Sequence, residues 1–463
     1  MAETTPGLST EFAASFKAFL DQAVAQAPEK TGLFLERLRG LFGAEPISFP
    51  VVGEHFEVPD HPNLQRAIDS YLSEAGRKHE ILGVTVDPYG RASLADLLGQ
   101  RGEQGPQPGP VEYANVALED EVLPCMQSGL YLITGPDEPL AVLMRGPNEA
   151  GFRMKVHVEV MAARREAAEA FLSDLRRRMR ERNVYRGRVL SLFVDDMRSL
   201  RVNFHRLGTV DRTAIILPEG LLERVERQTM RFSAHADRLR AMGRHMKRGL
   251  LLYGPPGTGK TLVTRYVINA MQGRTVLLLT GGGMGLIPQS CALARALQPA
   301  TVVLEDVDLV AEERTRQRQG CNAVLFELLN EMDGLEDDAD IVFILTTNRP
   351  DILEPALASR PGRVDQAIEI PAPDASCRRR LFELYGRGMG LRDTSTEPFV
   401  RRTEGVSAAF IRELMRRAAL FAADEGAQIA QIGVEDRHID QALHELVVQG
   451  GELTKSLLGA KAT

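Results

Sequence analysis

Cysteine is scarce. Four cysteines in 463 residues, Cys125, Cys291, Cys321 and Cys377, stand apart with no Cys-x-x-Cys spacing and no paired histidines. That excludes a disulfide scaffold and the common zinc frameworks, and it leads to the expectation of a reducing, cytoplasmic home. No His-Glu-x-x-His occurs either, so no fused zinc protease of that type is expected. Apolar runs stay short of the roughly 18 residues that a membrane span requires. Met1–Thr10 is polar, without a basic stretch leading into an apolar core, so neither a span nor a signal peptide is expected. Excess positive charge is missing too. A formal net charge of −7 argues against a surface built for nucleic acid or anionic membrane, although a local basic patch stays open.

What is present is ordinary globular material, 44% hydrophobic and 26% charged, in a chain long enough for two or three cores. Residues 12–42 carry helical periodicity. Phe12, Phe16, Phe19, Leu20, Ala23 and Val24 share one face, and after Pro28 come Leu33, Phe34, Leu38 and Leu41. A hairpin packed on a core is the stronger reading; a docking helix for a partner is the sharper one. RGEQGPQPGP at 101–110 reads as a linker or surface loop.

Beyond it, Tyr131–Thr134 and Ala141–Met144 flank a Gly-Pro-Asp-Glu-Pro turn and predict a β-hairpin. Met154, Val156, Val158 and Val160 alternate with Lys155, His157 and Glu159, the period of a half-buried strand with His157 exposed. A helix over about Arg164–Arg182 follows, with Ala168, Phe171, Leu172, Leu175 and Met179 on its apolar face. It ends in RRRMRERNVYRGR, residues 176–188. These arginines could grip phosphates, but interspersed acids favour a solvated helix face.

The chemistry sits in the second half. Gly249–Tyr253 is a short apolar strand leading into Gly254-Pro255-Pro256-Gly257-Thr258-Gly259-Lys260-Thr261-Leu262, and helical periodicity resumes after it. Strand, glycine-rich loop and helix come in the order of a P-loop. Its backbone N–H groups and the helix N-terminus can surround phosphates. Lys260 is expected to reach the β- and γ-phosphates, and Thr261 to bind Mg2+. TVVLEDVD at 301–308 delivers Glu305 and Asp306 to the end of an apolar strand. One acid can hold the metal's water shell while the other orients the attacking water.

With these motifs on the page, Gly249 to about Ala423 resembles an AAA-type ATPase of the AAA+ superfamily. LLNEMDGL (328–335) resembles the family's inter-subunit signalling segment, and ILTTN (344–348) its first sensor, ending in Asn348. PALASRPGRVD (355–365) is similar to the end of the second region of homology, which implies arginine fingers at Arg360 and Arg363 acting on a neighbour's nucleotide. The resemblance implies an α/β P-loop NTPase core with a parallel sheet and a C-terminal helical lid, here preceded by an α+β N-terminal region. It further implies ATP and Mg2+ as cofactors, Glu305 with Thr261 as metal ligands, Asp306 as base, and a homo-hexameric ring.

Four departures stand out. The acid pair reads Glu305-Asp306 where most members have Asp-Glu, similar to the branch of the mitochondrial AAA assembly factor of respiratory complex III. The loop GGGMGLI (281–287) has no aromatic for gripping a threaded chain, leaving Met284 and Leu286 to do so, or no grip at all. The adenine-pocket segment Asp-Ile-Gly-Gly is missing, with Ile216 and Leu217 in roughly its place. In GVSAAFIRELMRRAALFAAD (405–424) Ala408-Ala409-Phe410 replaces Gly-Ala-Asp, and Arg412 reads as a solvated arginine before a sensor.

The expected divisions are a mostly helical region over 1–100, a small α+β domain over 111–210, the ATPase core over 211–371, the lid over 372–450 and a tail over 451–463. The tail lacks the hydrophobic–Tyr–any ending of proteasomal ATPases. The expected function is ATP-driven remodelling of a protein or protein assembly. A nucleic-acid remodeller and a slow ATP-binding switch are the alternatives.

Overall fold

The structure is a computed structural model. It describes residues 15, 17–18, 32–85, 92–99, 106–119, 121–147, 154–196, 198–308, 323–334, 336, 339–351, 364–390, 396–425 and 433–449. Most of the Phe12–Val24 run, Cys321, Arg360 and Arg363 lie outside the described residues. The chain divides into two compact units: Met1–Ala117 with Val122–Arg182, and Leu118–Glu121 with Asn183–Thr463.

The first unit is built on a seven-stranded sheet. Its strands are β1 (Val51–Phe56), β2 (Lys78–Thr85), β3 (Gln107–Gly109), β4 (Glu112–Leu118), β5 (Glu121–Thr134), β6 (Leu140–Arg145) and β7 (Val156–Ala162). The order is β1-β7-β6-β5-β2-β3, with β4 also on β5. The expected hairpin is β5–β6, antiparallel with Leu130 opposite Leu143. The helix Arg165–Glu181 buries Ala168, Phe171, Leu172, Leu175 and Met179, the five positions that its periodicity singles out.

Three expectations change here. The helical region over 1–100 and the α+β domain over 111–210 are not separate, because β1 and β2 pair with β7 and β5 in one sheet. Residues 107–109 of the expected linker are strand β3, paired with Gly83–Thr85. His157 is half-buried rather than exposed, because β1 covers its side of β7 and sets His55 opposite it, ring centroids 4.1 Å apart. The arginines near 176 are also engaged. Arg176 pairs with Glu54 at 3.0 Å, Arg177 with Asp174 and Glu181, and Arg178 with Asp174 and Glu74. A helix face balanced by carboxylates has little charge left for a phosphate backbone.

The second unit holds the α/β core. Its sheet adds β8 (Val189–Val194), β9 (Leu200–Phe204), β10 (Arg248–Tyr253), β11 (Thr275–Leu279), β12 (Ala300–Leu304), β13 (Ile341–Thr347) and β14 (Gln366–Glu369). The order is β14-β10-β13-β12-β11-β8-β9, parallel except for β9 against β8. β12 and β13 are buried along their whole length, which continuous apolar runs such as IVFILTT demand. β8 lies beside β11, with Val189 opposite Val276. The boundary expected at 210/211 therefore falls at 182/183. Helices Ala375–Tyr385, Glu397–Arg402, Ala408–Asp424 and Asp436–His444 pack around Leu381, Phe382, Phe399, Phe410, Leu414 and Ile439. They form the lid.

The segment 281–287 is not a free loop. Gly281–Leu286 is a 3-10 helix running into the helix Ile287–Ala296, and Met284 is 1% exposed in the core with Leu190, Leu277 and Ile287. Met284 therefore cannot grip a passing chain: its side chain is spent on the core. Met284→Ala is expected to lower stability by about 2–5 kcal/mol. A urea melt showing no loss would contradict this burial.

Candidate nucleotide site

β10 ends at Tyr253 and the chain turns at once into the glycine loop. Gly254 has φ 142°, and a Cβ there would lie 2.3 Å from the Ile370 carbonyl oxygen, so no side chain fits where the loop leaves the sheet. Gly259 has φ 108° and faces open space directly before the helix Lys260–Ala270. This leaves the loop N–H groups and the helix N-terminus facing an unfilled concavity, which suits an anion.

Lys260 is 6% exposed and donates to the Gly254 and Pro255 carbonyl oxygens at 2.8 and 2.9 Å. Burial pushes its pKa down, and the nearby Asp306 and Asp308 carboxylates oppose that shift. Its ammonium is thus held over the loop by weak neutral acceptors that a phosphate oxygen can replace. Thr258 closes the loop by donating to the Pro255 carbonyl oxygen at 2.9 Å.

The acids arrive from β12. Burial raises the Glu305 pKa, as does Asp306 beside it, while Arg265 and a hydrogen bond with Thr261 lower it. Asp306 sits at φ 51°, a conformation that a non-glycine residue adopts only where its surroundings fix it. Its backbone N–H donates to Thr346 Oγ1 at 3.0 Å, and its carboxylate accepts from Asn348 Nδ2 at 3.3 Å. Acid and sensor residue meet as the sequence implies.

Lys260, Thr261, Asp306 and Asn348 open on one cavity of about 370 Å3, and Glu305 is not among the residues that line it. The phosphate loop from Pro256 to Val263, Asp306 and Asn348 line one part of it. Ile215, Ile216 and Leu217 supply an apolar wall, in the place expected for the missing adenine-pocket segment. The lid supplies Tyr385, Ala408, Ala409 and Arg412. Ala409 N–H donates to the Gly257 carbonyl oxygen at 3.0 Å, so the lid helix docks on the loop through its backbone. Phe410, standing where the family has Asp, is fully buried in the lid core and offers the nucleotide nothing. Arg412, read as solvated, is exposed and borders the cavity. A larger cavity, about 660 Å3, shares the Ile215–Leu217 wall but contains no phosphate-loop residue.

One residue of this site escaped the sequence reading. Asp308, the last acid of TVVLEDVD, is 4% exposed and hydrogen-bonded to Thr347 and Asn348. The signal was available: a third acid so soon after a buried strand needs a partner.

Comparison with known proteins agrees with this geometry. Residues 250–372 match the family described as "ATPase family associated with various cellular activities (AAA)". This stretch is an AAA domain on a P-loop NTPase fold. It is similar to the proteasome-activating nucleotidase of Thermococcus kodakarensis, at 32% identity over 46% of this chain and 59% of that protein. The ATP-dependent zinc metalloprotease FtsH 3 of Symbiobacterium thermophilum is 32% identical over 58% of this chain and 43% of that protein. The 26S proteasome regulatory subunit 8 homolog of Encephalitozoon cuniculi is 30% identical over 48% of this chain and 59% of that protein. The chain spans about half the length of the curated relatives it matches.

ATP with Mg2+, the pair that AAA ATPases use, fits the residues present: an open glycine-lined concavity, a buried ammonium above it, and Thr261 and Asp306 on its wall. Lys260→Ala is expected to abolish ATP binding, because the site loses its main phosphate-facing charge. Calorimetry showing unchanged affinity would refute the assignment.

Proposed function

We propose that this chain hydrolyses Mg-ATP as a subunit of a ring and uses the energy to remodel a protein or protein assembly. The observation that carries this reading is the convergence of Lys260, Thr261 and the Asp306–Asn348 contact on one cavity. Bound Mg2+ would neutralise charge on the β- and γ-phosphates. Thr261 and Glu305 would hold it, directly and through its water shell. Asp306 accepts the proton of the attacking water, and Asn348 orients both. Arg360 and Arg363, outside the described residues, act in trans on the neighbour's γ-phosphate, so that turnover depends on assembly. A hexamer is the ring we favour, and the cytoplasm its place; among the described residues no helix is long and apolar enough to cross a membrane.

The names of the relatives, proteasome-activating nucleotidase above all, support a protein substrate. The buried Met284 supports remodelling of folded or assembled partners through the N-terminal unit rather than stepwise threading past the segment 281–287. The nucleic-acid alternative loses its motive, since Arg176, Arg177 and Arg178 are paired with carboxylates. The slow-switch alternative rests on the Glu-Asp order and is separated by a turnover assay.

Asp306→Asn should bind ATP normally and turn over at least a hundredfold more slowly, by analogy with the roughly 10²–10⁴ worth of a positioned base. Arg360→Ala and Arg363→Ala should each lower turnover at unchanged ATP affinity, and mixing either with Asp306→Asn subunits should restore part of it. Full-rate hydrolysis by a monomer, independent of concentration, would sink the trans arrangement. Removing residues 1–182, which leaves β8 and β9 in the ATPase sheet, should abolish partner binding and spare basal hydrolysis.

A further inference from the structure

The acid motif contains one carboxylate that neither metal binding nor water activation uses. Asp308 is 4% exposed, and its Oδ1 accepts from the Thr347 hydroxyl at 2.8 Å and from the Asn348 backbone N–H at 3.1 Å. Both donors belong to the end of β13, the segment that carries the sensor amide. That amide reaches Asp306 at 3.3 Å, and Asp306 in turn donates its N–H to Thr346 Oγ1 at 3.0 Å. The ends of β12 and β13 are thus stitched by four hydrogen bonds. The residue in their midst, Asp306, holds a left-handed backbone.

Such stitching matters more here than with the usual order of acids. Asp306 has one methylene fewer than glutamate, so its carboxylate cannot swing to compensate for a displaced sensor. Misplacement of about 1 Å can cost a hundredfold in rate. A buried, charged acceptor makes stronger bonds than a neutral one, and both of its donors here lie on the element to be fixed.

We infer that Asp308 is a positioning residue for hydrolysis, clamping the Asn348 backbone so that its amide holds Asp306 over the attacking water. The inference rests on the ATP-hydrolysis reading above. It separates from phosphate binding: Asp308 holds the β13 end, and the loop keeps its own bonds through Lys260 and Thr258.

The test uses the full chain, with kcat from steady-state turnover and ATP affinity from calorimetry. Asp308→Ala is expected to lower kcat by about tenfold or more while the ATP Kd stays within about threefold. Asp308→Asn keeps an acceptor oxygen for both donors and should recover most of that loss. Thr347→Val, which removes one donor, should lower kcat less, and Thr347→Ser should restore it. Asp308→Ala with kcat within about twofold of the parent would overturn the inference, as would kcat and ATP affinity falling in step. If Asp308→Ala does not fold, Thr347→Val decides, and an unchanged kcat there overturns the inference as well. A parent chain that binds ATP but never turns over overturns both readings; one that turns over, with Asp308→Ala equally fast, overturns this one alone.

Discussion

The parallel register of β10, β13 and β12 is the constraint on which the site depends. Tyr253 is level with Thr347, and Leu304 with Leu345. One residue further along each strand, Gly254 opens the phosphate loop, Asn348 leaves β13, and Glu305 leaves β12. Glu305 and Asp306 therefore emerge beside Thr346 and Thr347; the Thr346 hydroxyl accepts the Asp306 N–H, and the Thr347 hydroxyl donates to Asp308. A slip of one residue in the β12–β13 pairing would turn Thr346 to the opposite face and leave Asp306 N–H without its acceptor. The apolar runs set this register because both faces are buried, so chemistry at the strand ends is fixed by packing in the strand middles.

The nucleotide cavity also needs a second body, the lid, and two of the four departures from the family pattern, at Ile216–Leu217 and Ala408–Phe410, fall on the contacts between lid and core. Ile215 and Leu217 pack in the core under the P-loop helix, while Ile216 packs against the lid core. Three consecutive residues thus tie the two bodies together and wall the cavity. Across from them the lid docks by a backbone bond from Ala409 to Gly257, which tolerates loss of the family's Gly-Ala-Asp side chains. Phe410 joins Leu414 and Ile439 in the lid core instead, so the carboxylate lost to the nucleotide is replaced by buried area within the lid. Around it the surface arginines of the same helix are held by acids, Arg416 and Arg417 by Glu413, and Arg417 also by Glu445.

The nucleotide half was largely legible because its signals are local. The glycine spacing, the strand before it and the acid pair each lie within one short segment, and ridge positions such as Phe171 and Leu175 follow from helical period alone. What stayed hidden depends on distant pairing. VVGEHF at Val51–Phe56 gives a weak alternation, and only its partner β7 makes it a strand of the first sheet. Gln107–Gly109 carries linker composition, yet it pairs where Gly83 and Gly109 let the two backbones lie close. His157 was misplaced for the same cause: period 2 tells which side a residue faces, not whether another strand's histidine covers it. Asp308 was passed over because it follows the two acids whose roles are obvious, and its partners lie across the sheet on β13.

The hairpin β8–β9 shows how such hidden pairing changes the mechanism. In sequence it trails an arginine-rich helix and looks like the end of the preceding domain. In space β8 hydrogen-bonds to β11 and widens the ATPase sheet, and the carbonyl of Leu192 lies against Gly283. Gly281 has a backbone reason, its φ of 47°, while a Cβ at Gly283 would meet the Leu192 carbonyl oxygen only at ordinary contact distance and one at Gly285 would meet nothing. Met284 turns the other way, into the core. A segment held between an added strand and the core cannot also swing in a central channel without exposing that methionine and breaking its packing. Of the two side chains that the sequence offers for gripping a threaded chain, Met284 is thus committed to the core, and Leu286 alone stays partly exposed.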